Sequence, residues 1–86
     1  IYDEGPVWRG ELDQLRLPAD RPRQAAEQLA AELRQAGQAA ALHQQRKVFS
    51  VDVMVTPATP AAALDVLRRA GAGTGPGLHR IEFAPR

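Results

Sequence analysis

The chain has no cysteine and no asparagine, one serine and one tryptophan, and only 5% aromatic residues in 86. Without cysteine there are no disulfides, no thiolate metal centres and no cysteine nucleophile. The same absence suits cytosol and periplasm equally. The lone serine, Ser50, has no neighbouring motif that would orient a base toward it, which argues against a serine nucleophile. Charge of one sign is also missing. Eleven basic residues stand against ten acidic ones, for a formal net charge of +1. That balance lacks the positive excess that draws a chain to nucleic acid or to an anionic membrane surface. No apolar run approaches the ~20 residues needed to span a bilayer, and no signal-peptide pattern is present. The chain opens on Ile1 rather than Met, so we expect a single domain over residues 1–86, excised from a longer protein, with residues 1–6 as a lead-in.

What remains is a regular alternation of strand and helix patterns. Val7–Leu17 reads as extended. Trp8 and Leu12 share one parity while Leu15 and Leu17 share the other, which predicts a bulge or break between them. Asp20-Arg21-Pro22 opens a helix, with Asp20 as cap and Pro22 in the first turn. Ala26, Leu29, Ala30, Leu33 and Ala36 then form one apolar stripe, and Gly37 stops the helix. Ala39–Gln44 is a short strand, turning near Gln45-Arg46-Lys47. In the next strand Phe49, Val51, Val53 and Val55 alternate with Ser50, Asp52, Met54 and Thr56, as on a half-buried strand. Thr59-Pro60 starts a second helix with Ala63, Leu64, Leu67 and Ala70 as its stripe, and Asp65 can pair with Arg69. Gly71 ends it, and Leu78–Ala84 forms the last strand, with Ile81 and Phe83 on one face and Arg80 and Glu82 on the other.

The order strand, helix, strand, strand, helix, strand predicts an α+β domain of ferredoxin-like βαββαβ type. In that arrangement a four-stranded antiparallel sheet carries two helices on one face. The expected core is Leu29, Leu33, Phe49, Val51, Val53, Val55, Leu64, Leu67, Ile81 and Phe83, and the other sheet face is left open.

Few residues carry chemistry. The glycine run Gly71-Ala72-Gly73-Thr74-Gly75-Pro76-Gly77 follows a helix and precedes a strand, so it meets the carbonyl end of the helix dipole rather than the phosphate-binding amide end. Read as GxGxxG it meets Pro76 or Leu78 at the last glycine position, and no Gly-Lys-Ser/Thr follows. It reads as a helix stop and an exposed, pliable link. Lys47-Val48-Phe49-Ser50-Val51 partly matches the RNA-recognition strand signature, but Val51 replaces the second stacking aromatic and Asp52 repels phosphate, so Phe49 is assigned to the core. His43 and His79 lack the further ligands a metal needs and read as surface histidines. Glu11 and Asp13, near Arg9 and Arg16, read as a solvated charged face. Acylphosphatases share the expected fold but need an asparagine beside an arginine, and the chain has none. The expectations are therefore no catalytic residue, no cofactor and no metal. Trp8 and Met54 are the candidate partner contacts: Trp concentrates binding energy at interfaces, and Met54 puts an apolar group on a polar strand face.

Two resemblances add to this reading. AAEQLAAELRQAG, then KVFSVDVMV, PAAALDVLRRAG and LHRIEF resemble the ferredoxin-like periplasmic domains of the inner-membrane platform of type II secretion and type IV pilus systems. That resemblance implies a non-enzymatic scaffold in the bacterial periplasm, part of an inner-membrane-anchored protein. Its partners would be a second copy, in a homodimer, and other platform proteins, with no nucleic acid and no direct membrane contact by this segment. FSVDVMVTPATPAAALDVLRRAG also resembles the second repeat of the peptidoglycan-binding SPOR domain. There, however, Met54-Val55-Thr56-Pro57 stands where that family has Gly-Pro-Phe, and this sets it second. A small-molecule sensor of the ACT type comes third, because Leu17-Pro18-Ala19-Asp20 replaces its glycine turn.

Overall fold

The structure, a computed structural model, describes residues 12–86. Six elements follow in chain order: β1 (Leu12–Ala19), α1 (Pro22–Gln35), β2 (Ala41–Gln45), β3 (Val48–Val55), α2 (Ala61–Arg69) and β4 (Gly77–Pro85). The fold is α+β, one four-stranded sheet with two helices, and the order of elements is the expected one. The sheet itself differs. Its strand order is β1-β4-β3-β2, with β1 parallel to β4 and the other two neighbour pairs antiparallel. The sheet is therefore mixed, not fully antiparallel, and β3 alone runs against the other three strands.

Two local features account for the rearrangement. Pro18 lies within β1, paired with Ala84. Proline has no N–H to give a second neighbour, so a strand containing it is stable at an edge. The second feature is the path from β3 to β4. The chain leaves the sheet at Val55 and re-enters at Gly77, which is the Cα partner of Val55. The segment between them, α2 with its two connections, is thus a closed excursion that returns to its starting point. It makes β4 the antiparallel neighbour of β3, where a long crossover would have carried it farther along the sheet.

Strand registers sort the side chains onto two faces. Leu15, Leu17, Ile81, Phe83, Phe49, Val51, Val53 and Val55 share the helix face. There Leu29 and Leu33 of α1, Ala63, Val66 and Leu67 of α2 and the strand residues form one core. Leu33, Leu67, Ile81, Val51 and Val53 are its largest fully buried side chains. Of the expected core, Phe49 and Leu64 are only partly buried, whereas Ala26, Ala30, Ala63 and Val66 are buried. The small alanines on α1 let that helix lie close against the sheet. Leu12 falls on the open face in unbroken register, so no bulge separates it from Leu15.

Both helices stop as the sequence predicts. The amides of Gly37 and Gln38 bond the carbonyls of Arg34 and Leu33, and those of Gly71 and Ala72 bond Arg68 and Leu67. Gly37 and Gly71 have φ of 88° and 87°, so each helix ends in a Schellman motif that uses glycine's left-handed freedom. The starts differ. Residue Arg21, not Asp20, occupies the N-cap of α1, and no side chain bonds the free amides. The Asp20 carboxylate instead forms an ion pair with Arg86, 2.8 Å from its Nε. Helix α2 begins one residue later than expected, with Pro60 at the N-cap. The Thr59 hydroxyl accepts from the Thr56 amide at 2.9 Å rather than capping the helix. Asp65 pairs with Arg68 at 2.9 Å, and Arg69 reaches toward Glu32.

Candidate functional site

The open face of the sheet is organised in rows across the strands. Leu12, Leu78 and Met54 form one row, in which Met54 is 45% exposed. Next come Gln14, Arg80, Asp52 and Ala41, and two residues farther along the strands lie Arg16, Glu82, Ser50 and His43. Cross-strand neighbours on one face lie close enough for their side chains to pair. Asp52 is the hub. Its oxygens accept from Arg80 Nε at 2.8 Å and Nη2 at 3.0 Å, a bidentate pair, and Oδ2 lies 3.4 Å from His43 Nε2. The bond to Asp52 raises the Arg80 guanidinium above the usual arginine range, against the opposing effect of burial. Arg16 Nε bonds Glu82 Oε1 at 3.2 Å.

This arrangement places His43 beside Ser50 and within 3.4 Å of Asp52, which invites comparison with a nucleophile, base and acid. The chemistry is not assembled. No hydrogen bond joins Ser50 to His43, and the Asp52 carboxylate is already committed to a guanidinium. The shallow depression above these rows is lined by the paired charges of Arg16, Arg80 and Glu82, by His43 and Ser50, and at the β2–β3 turn by Arg46.

His79 departs from the sequence expectation. It is buried, with 4% of its surface exposed, and lies on the helix face, opposite His43; the two do not meet. The charged side chain next to it is Asp13, its Cα partner on β1. Nδ1 of His79 lies 3.0 Å from Asp13 Oδ2, and Nε2 lies 2.6 Å from the carbonyl of Gly75. A carbonyl only accepts, so Nε2 donates to it. Asp13 is thus a ring partner as well as a surface carboxylate. Gly73 closes over the pair: a Cβ there would sit 2.9 Å from Asp13 Oδ2. The glycine run is exposed at Gly71, Gly73, Gly75 and Pro76, as expected, and His79 anchors it at the Gly75 carbonyl. Sequence reasoning missed this because the parity of His79 with Ile81 and Phe83 was the only available signal.

Met54 lies on the open face, as its parity predicts, while Trp8 and Glu11 lie outside the described residues. Among the described residues no group of three or more His, Asp or Glu side chains is placed to hold a metal, and no helix is long and apolar enough to cross a membrane. No family model, curated protein or solved structure matches the chain.

Proposed function

We propose that this chain is a non-catalytic interaction domain that associates with a second copy of itself through the open face of its sheet. We further propose that it acts as a dimerising scaffold in a bacterial envelope assembly of the type II secretion or type IV pilus platform kind, in the periplasm and anchored to the inner membrane through the rest of its protein. The ferredoxin-like platform domains supply the analogy through their order of elements; the edge position of β1 is a departure from the all-antiparallel form.

One observation carries the reading. The open face joins an apolar row, half-buried Leu12 and Leu78 beside exposed Met54, to rows whose arginines and carboxylates are already paired with one another. Internally neutralised charges make no demand for a partner of opposite sign, and a like face brings no net repulsion, so a second copy is the partner that this surface fits best. Sedimentation analysis across a concentration series tests it. We expect a reversible dimer that Met54→Glu weakens by about tenfold, by placing a carboxylate in an apolar contact. Strong retention on isolated peptidoglycan by a strictly monomeric protein would sink the proposal in favour of a cell-wall reader.

A further inference from the structure

The cations are not distributed evenly. Arg16, Arg68, Arg69, Arg80 and Arg86 each face a carboxylate. Of the other described cations, Arg34 bonds the Ala40 carbonyl, while Arg21, Arg23, Arg46 and Lys47 border one open, largely apolar depression of about 500 Å³ at the end of the sheet where α1 begins and the β2–β3 turn closes. Its apolar wall includes Phe49, Pro22 and Pro85. The one carboxylate there, Asp20, is engaged by Arg86 at 2.8 Å. In a chain with a net charge of +1, this end holds a concentrated surplus of positive charge.

We propose that this depression binds a phosphate-bearing ligand. Its charged group would be held by Arg21, Arg23, Arg46 and Lys47, and its less polar part would lie against Phe49. Three of the four cations are arginines, whose planar forks match phosphate oxygens in pairs. Four unpaired cations exceed what a single carboxylate would balance and suit a group carrying two or more charges. Part of the site is set in advance. The Arg23 guanidinium lies over the Phe49 ring, 5.6 Å from its centroid, a contact that holds the cation at the wall of the depression. Arg46 is the one non-glycine residue with positive φ among the described residues, at 57°, in a turn where glycine or asparagine would be less strained. Its carbonyl is held by Gln44 Nε2 at 2.9 Å. A cation thus stands where backbone geometry favours another residue, as strained functional positions often do. Phe49 lies on the helix side of the sheet, away from the Leu12, Leu78 and Met54 row of the proposed dimer, while Arg46 at the β2–β3 turn borders both this depression and the one on the open face.

The test is an NMR titration of the ¹⁵N-labelled full chain with inorganic pyrophosphate and, separately, citrate, beside co-sedimentation with phosphatidylglycerol and phosphatidylcholine vesicles. We expect saturable shifts confined to the amides of residues 21–24 and 46–49 with pyrophosphate. The triple variant Arg23→Gln/Arg46→Gln/Lys47→Gln should weaken binding by about tenfold or more. It should retain the wild-type pattern of amide shifts elsewhere, which separates loss of the site from loss of the fold. Pyrophosphate binding without vesicle binding assigns the phosphate to a soluble ligand. Binding to phosphatidylglycerol but not phosphatidylcholine vesicles, lost in the triple variant, assigns it to a lipid headgroup. The proposal is overturned if neither phosphate source binds, if citrate binds as tightly as pyrophosphate, if the shifts spread equally to Arg68 and Arg69, or if the triple variant binds like the wild type.

Discussion

At the scale of single residues, the least anticipated feature is the cluster of His79, Asp13 and Gly73. A buried histidine with two partners holds the start of β1, the glycine run and β4 together. Gly73 has no unusual φ, so its requirement is one of space: the added methyl of Gly73→Ala would meet the Asp13 carboxylate at 2.9 Å. We expect Gly73→Ala and Asp13→Ala each to cost about 1 kcal/mol in urea unfolding, because both remove the same hydrogen bond. In the Asp13→Ala background Gly73→Ala should then cost almost nothing, a coupling that a double-mutant cycle reads directly. Additive costs would mean that Gly73 acts elsewhere. On the other face, Asp52→Ala strips partners from both Arg80 and His43 and should cost about 1–3 kcal/mol. Arg16→Ala removes only an exposed ion pair and should cost less than about 1 kcal/mol. Residue parity in the sequence already placed Asp52, Met54, Arg80 and Glu82 on one face. It did not reveal the pairing of Asp13 with His79, because a contact across β1 and β4 follows from strand order, which local pattern does not encode.

At the scale of elements, the helices were the most legible part of the sequence. Apolar spacings of three and four found both stripes, and Gly37 and Gly71 marked both ends. Their neighbours leave room for a Cβ, so the cost of alanine at Gly37 or Gly71 is one of backbone conformation, about 1 kcal/mol at each position by thermal unfolding. Helix starts were less legible, since Asp20 and Thr59 are capping residue types whose oxygens engage other groups. Competition between a helix amide and a nearby arginine or turn amide is settled by tertiary geometry. The β2–β3 turn lacked a sequence signature because an arginine holds the left-handed position. Arg46→Gly should raise stability by about 1 kcal/mol by relieving that conformation, while weakening anion binding. A loss of stability would contradict the turn geometry. Pro18 was the overlooked signal within β1, because a strand containing proline is stable at a sheet edge.

At the scale of the whole molecule, the described residues form two layers with dimensions of 37 × 31 × 17 Å, and among them no element covers the second sheet face. The α+β class and the order of elements could be read from periodicity alone, but the mixed sheet could not. Whether β4 inserts beside β3 or beyond β1 depends on the closed path through α2 and the glycine run, and on the fit of Gly73 against Asp13. The same path sets which side chains share the open face, and so underlies the proposed self-association. Sedimentation equilibrium of the wild type and Met54→Glu, compared over the full accessible concentration range, tests that claim most directly. The account predicts a concentration-dependent dimer in the wild type and a shift toward monomer in the variant. A wild type that stays monomeric at its highest concentration, or a dimer indifferent to Met54→Glu, would contradict it.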